Sequence, residues 1–181
     1  MNDSSGISPR FAQGLQANIA YWRQKTAHLT DAQVPALTPD FPNLLRAVQM
    51  GMLHETTRVE TAVLVCQVFF WVEQVGQWDR WLPVMDRLIP MLDDDALRCR
   101  LYKQQGQLFR SGQHLDAAIP VLTKSAELAK QLNDELALAE ADTHLCSIYL
   151  QKRAYAEAES LGQRALQLLA HRTGAQRQLT A

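Results

Sequence analysis

The decapeptide DRWLPVMDRL, from Asp79 to Leu88, returns thirty-seven residues later as DAAIPVLTKS, from Asp116 to Ser125. Aspartate, an aliphatic residue, proline, valine, an apolar residue and a base recur in step. Gly106 and Phe109 are answered forty residues on by Cys146 and Tyr149, and Ala117 and Ala118 by Glu157 and Ala158. Counting back thirty-seven, the same slots hold Phe69, Val72 and Trp81. A period of this size is the tightest constraint on the fold. Each period is one supersecondary unit that cannot bury its own apolar face, so neighbouring units must stack.

The units are helical. Alternating apolar runs closed by Asn-Gly or Gly-Gly turns do not occur. Phe11, Leu15, Ile19 and Trp22 fall on one helical stripe, and Ser8 before Pro9 supplies a capping hydroxyl and a proline that needs no amide partner. That helix fades near His28. LTDAQVPALTPDFP, with three prolines, is a connector, and Asp40 is expected to cap a second helix ending between Gly51 and His54. From there the pattern runs in pairs: 58–92 broken at Gly76, 95–132 broken at Gly112, and 135–171 broken near Lys152. Joints this short force antiparallel neighbours. The architecture expected is therefore all-α. Two helices and a connector occupy 1–54, about three helical hairpins occupy 55–171, and 172–181 is a tail. Pro83 and Pro120 are expected in the first turn of their helices, capped by Asp79 and Asp116. Gly106 and Ala118 are small where two helices of a hairpin must approach closely, and Phe109 and Tyr149 fill the space between. Trp71, Trp78 and Trp81 are expected to pack against the N-terminal helices.

Composition narrows the function classes. A net charge of −1 over 181 residues gives no global electrostatic case for nucleic acid or an anionic membrane. The longest apolar run, Val63 to Val72, is too short to span a bilayer and is interrupted by Gln67. The N-terminus is polar, without the apolar core of a signal peptide. Cys66, Cys99 and Cys146 are an odd set at no metal-like spacing and read as reduced thiols in a cytoplasm. His144 and Cys146 lie two apart and would not face each other on a helix, so no nucleophile–base pair follows. Asp93 to Asp95 reads as a capped turn. No cofactor, metal or enzymatic activity is expected.

The segment Gln104 to Ala129, QQGQLFRSGQHLDAAIPVLTKSAELA, resembles the tetratricopeptide repeat: a small residue on the first helix, an aromatic three residues later, a turn glycine, then an alanine-containing second helix. Cys146 to Leu166 is similar, with Tyr149, Tyr155, Ala158 and Ala165 in the matching slots and cysteine where glycine or alanine is usual. The segment FFWVEQVGQWDRWLPVMDRLI departs further, with Phe69 and Trp81 in small-residue slots, which implies a wider hairpin. FPNLLRAVQMGML resembles the segment that precedes the repeat arm of bacterial STAND-type signalling ATPases and regulators. No Walker A sequence is present, so a separate ATPase or effector is the partner that this likeness implies.

The repeat resemblance implies a right-handed α–α superhelix whose first helices line a concave groove. Arg100, Lys103, Gln107 and Arg110 recur at three and four along the first helix of the middle unit, beside the apolar stripe of Leu101, Leu108 and Phe109. Cys66, Phe70 and Glu73 would add an apolar end, and Thr143, Ser147 and Gln151 a polar one. Such a groove suits an extended or helical peptide carrying an acidic group. The expected function is a non-enzymatic protein–protein interaction module, an adaptor or sensing arm. Two other readings stand beside it. One is a small-molecule sensor with a closed pocket near Phe70 and Trp71. The other is a homodimer formed through the helix at 154–171.

Overall fold

A computed structural model describes residues 8–28, 30 and 33–179, with side chains through His171. The polar stretch 1–7 and the end of the tail lie outside the described residues. Among the described residues every regular element is helical, and the fold is all-α, of the helical-repeat class. The elements are α1 (Pro9–Lys25), α2 (Val34–Leu37), α3 (Phe41–Gly51), α4 (Glu55–Val75), α5 (Trp78–Leu88), α6 (Asp95–Ser111), α7 (Leu115–Gln131), α8 (Glu135–Gln151) and α9 (Tyr155–Leu179). None of the described helices is long and apolar enough to cross a membrane. The chain divides into two compact units, 1–93 and 94–181.

The first unit is built around α4. Its buried residues, among them Ala62, Leu64, Val65, Cys66, Val68 and Trp71, run round the helix rather than along one stripe. A helix apolar on all sides must be covered on several. Here α1, α3 and α5 cover it, and α1 does so more extensively than α5. The expected 58–92 hairpin is therefore unequal. Its first helix has 21 residues and starts at Glu55, and its second has 11. Beyond α5 the chain tightens into a 3₁₀ turn over Ile89–Met91, where Pro90 cannot donate to continue the α-helix. Gln67, the polar break in the apolar run, has a partner for its amide: Nε2–H donates to the Arg23 carbonyl at 2.7 Å and to Thr26 Oγ1 at 2.8 Å. Ser8 caps α1 as expected, accepting from the Phe11 amide at 3.3 Å. Asp40 does not cap α3. It makes no capping bond and instead accepts from the Lys25 ammonium at 2.6 Å. Trp71 and Trp81 are fully buried against Phe41, the former edge-on. They belong to the core, as expected, so Trp71 offers no wall to a ligand pocket.

The second unit is regular. Helices α6, α7 and α8 are each 17 residues long, separated by three-residue joints, and α9 begins on the same beat. Hairpins α6–α7 and α8–α9 pack tightly within themselves, and α7 packs on α8 between them. One cluster joins Cys99, Ala126, Ala129, Leu138 and Ala141, and another joins Ala118, Leu122, Leu145 and Ile148. Cys99 and Ser125 clasp α6 to α7: Ser125 Oγ–H donates to the Cys99 carbonyl at 2.9 Å. Asp142, wholly buried, accepts from Arg164 Nε and Nη2 at 2.6 and 2.5 Å and locks α8 to α9. The backbone of α9 runs on through Leu179 rather than ending near His171.

The prolines sit differently from expectation. Pro83 and Pro120 each occupy the sixth residue of their helix, in the second turn. Asp79 and Asp116 are first-turn residues, the capping positions fall to Gln77 and His114, and neither makes a side-chain capping bond. Each proline thus leaves the carbonyl four residues back, on Asp79 or Asp116, without its helical donor. All four residues are exposed, so water can serve those carbonyls.

Candidate interaction face on α6 and α8

Helices α6 and α8 lie close enough to share a face. On α6 the spacing of Arg100, Lys103, Gln107 and Arg110 sets all four on the side away from buried Leu101 and Leu108. Helix α8 brings Glu140, Thr143, His144, Ser147 and Gln151 by the same periodicity. Between the two helices is a hollow of about 220 Å³ whose lining includes Cys99, Arg100, Lys103, Ala137, Glu140 and Asp134, the last capping α8 through the Ala137 amide. Arg100 and Lys103 therefore do face a cavity.

The electrostatics are less basic than the α6 sequence alone implies. Lys103 Nζ donates to Glu140 across the hollow, so its charge is matched. Arg100 is exposed, and among the described residues it has no ion pair. Arg110 is half-buried, and its Nε–H has no hydrogen-bond partner among the described residues. His144 sits within reach of both Arg110 and Lys103. Burial, then the repulsion of those two cations, holds its imidazole down at about 4, against the pull of Glu140. It is neutral at physiological pH and adds no charge. The free positive charge on this face thus belongs to Arg100 and Arg110.

Thr143 is exposed and its hydroxyl donates to the Ala139 carbonyl at 2.7 Å. Ser147 is half-buried, and Gln151, the last residue of α8, is exposed. Of the expected residues in the first unit, Phe70 is 50% exposed and Glu73 half-buried, its carbonyl accepting from Trp78 Nε1–H at 3.3 Å. Cys66 is 4% exposed and lies in the core, so its expected place on a binding surface is withdrawn. The reason is that α4 has no polar side at that point on which a small thiol could surface.

Sequence reasoning missed Glu140, and it weighed His144 only as a partner for Cys146, not as part of this face. Both were legible, since Glu140 stands one turn before His144 and two turns before Ser147. What the sequence does not carry is the pairing of Glu140 with a lysine thirty-seven residues away. No cysteine offers nucleophilic chemistry on this face. The Cys99 thiol donates to the Ser125 carbonyl at 3.3 Å, and burial pushes its pKa up, away from thiolate. Among the described residues no group of three or more His, Cys, Asp or Glu could hold a metal ion. The face can bind through charge and hydrogen bonds. No protein-family model, no curated protein and no solved structure matches this chain.

Proposed function

We propose that the chain is a non-enzymatic protein–protein interaction module of the tetratricopeptide type, and that the α6–α8 face receives an acidic peptide segment of its partner. The observation that carries this reading is the pair of uncommitted guanidiniums on one side of α6: Arg100, which lines the hollow where Lys103 pairs with Glu140, and Arg110, further along the helix beyond it. They stand ten residue steps apart on the helix, about 15 Å along the axis. An extended peptide covers that in roughly four to five residues. The preferred segment therefore carries two carboxylates at that spacing, one of them entering the hollow beside Arg100. Bidentate contact with guanidinium gives such pairing its geometric selectivity.

The test is a peptide array in which two glutamates are spaced from one to nine residues apart, read against wild type and the Arg100→Glu/Arg110→Glu variant. The expected result is a maximum at the four-to-five spacing that falls by about tenfold or more in the variant, because each reversal turns an attraction into a like-charge repulsion. A flat spacing profile, or a profile the variant leaves unchanged, overturns the reading.

A further inference from the structure

Gly14 stands in the interior of α1, and packing does not explain it. It is exposed, and a Cβ built on it meets nothing within 4 Å. Glycine inside a helix costs about 1 kcal/mol relative to alanine. Elsewhere that cost has a structural cause. At Gly51 a Cβ would lie 2.4 Å from Thr61 Oγ1 and 2.8 Å from Ile19 Cδ1, so α3 could not approach its neighbours. Gly14 instead lines a cleft of about 600 Å³ between α1 and α3, where the missing side chain leaves open space. That volume falls in the range of small-molecule sites, roughly 300–1,000 Å³.

The lining combines apolar and charged side chains with two amides, Asn18 and Asn43. Phe11, Tyr21 and Met50 line the cleft and remain 46%, 53% and 37% exposed. Phe11 belongs by sequence to the buried stripe of α1, yet it stands at this opening. Arg10 and Arg46 line the cleft too, and among the described residues neither has an ion pair. The carboxylate in the lining, Asp40, is taken by Lys25 at 2.6 Å. That bond, reinforced by Tyr21, raises the lysine's pKa and keeps it charged. The cleft thus offers apolar surface and two free guanidiniums, with no free carboxylate to oppose an anion. Its walls are helices whose backbone groups are mostly bonded within themselves, so an extended peptide would find few main-chain partners there.

We propose that this cleft binds an amphipathic organic anion, an acyl chain or aromatic ring system carrying a carboxylate. The apolar body lies over Gly14 against Phe11, Tyr21 and Met50, and the carboxylate pairs with the guanidinium of Arg10 or Arg46. This site is independent of the α6–α8 face.

The experiment is isothermal titration calorimetry of the full chain with decanoate, with decyltrimethylammonium as a cation of the same chain length. Two variants accompany it: Gly14→Leu, which projects an isobutyl group into the cleft, and Arg10→Glu/Arg46→Glu, which inverts its charge. Decanoate should bind at one site, about tenfold or more tighter than the cation. The charge-inverted variant should lose that preference. Gly14→Leu should lose decanoate binding while its thermal midpoint stays level or rises, because leucine is the better helix former and meets open space. Absence of saturable decanoate binding overturns the proposal, as does equal binding of the cation or undiminished binding to Gly14→Leu. An acidic helical peptide that binds this cleft where decanoate does not also overturns it, in favour of a protein ligand.

Discussion

A Cβ on Gly106 would lie 2.4 Å from Leu122 Cγ and 2.7 Å from its Cδ2. Leu122 is wholly buried and cannot swing aside. Forty residues on, the same two slots hold Cys146 and Gly162, and a Cβ on Gly162 would meet Cys146 Sγ at 3.5 Å, an ordinary contact. The first hairpin sets nothing against leucine, and the second sets a thiol against nothing. One inter-helix gap is filled from opposite sides, which is why a cysteine is tolerated where the repeat pattern favours glycine or alanine. Gly106→Ala should therefore destabilise by about 1–3 kcal/mol through overpacking. Leu122→Ala alone should cost about 2–5 kcal/mol through the cavity it leaves. The double variant should cost clearly less than the two together, because each change relieves the other. Urea denaturation of the four proteins measures this, and simple additivity would refute the shared gap. The sequence showed that position 106 must be small. It did not show the exchange with position 162, because complementarity belongs to a pair of residues and periodicity to one.

At the scale of elements, the second unit keeps a beat of twenty residues, seventeen helical and three in the joint. The left-handed residue of each joint falls on that beat: Gln113 at φ 62°, Asn133 at 55° and Arg153 at 60°. Each joint closes with the same two bonds. The His114, Asp134 and Ala154 amides reach back to the carbonyls of Phe109, Ala129 and Tyr149, and the Gln113, Asn133 and Arg153 amides reach those of Arg110, Lys130 and Leu150. This is the Schellman closure, which favours glycine at its left-handed position. Gln113→Gly and Arg153→Gly should each stabilise the protein by about 0.5–1 kcal/mol, read as a rise in urea midpoint at unchanged slope. The limits of α6, α7 and α8 were legible to within a residue, because Asp94 and Asp134 cap their helices and a polar joint interrupts the apolar stripe each time. The prolines were placed too early. A cap was assigned to Asp79 and Asp116 by residue type, whereas Gln77 and His114 take that position without lending a side chain.

At the scale of the whole molecule, the two compact units are organised on different principles. In 94–181 each helix packs chiefly on the next in sequence, while in 1–93 the long α4 takes α1 as its main partner over the adjacent α5. Sequence-local packing with its own buried clusters should let 94–181 fold alone. Expressed as a fragment, it should give a helical circular dichroism spectrum and one cooperative urea transition, and a gradual non-cooperative loss of signal would show that its clusters need the rest of the chain. Helicity, hairpin spacing and the faces of α6 and α8 were determined by the sequence, because a period of 3.6 residues and a repeat of forty are properties of the chain read along itself. Three things were decided only in three dimensions: the exclusion of Cys66 from the binding face, the neutralisation of Lys103 by Glu140, and the choice of α1 over α5 by α4. Each depends on which of several similar apolar stripes docks on which, and on charges brought together from distant positions, and neither is written in the spacing of neighbouring residues.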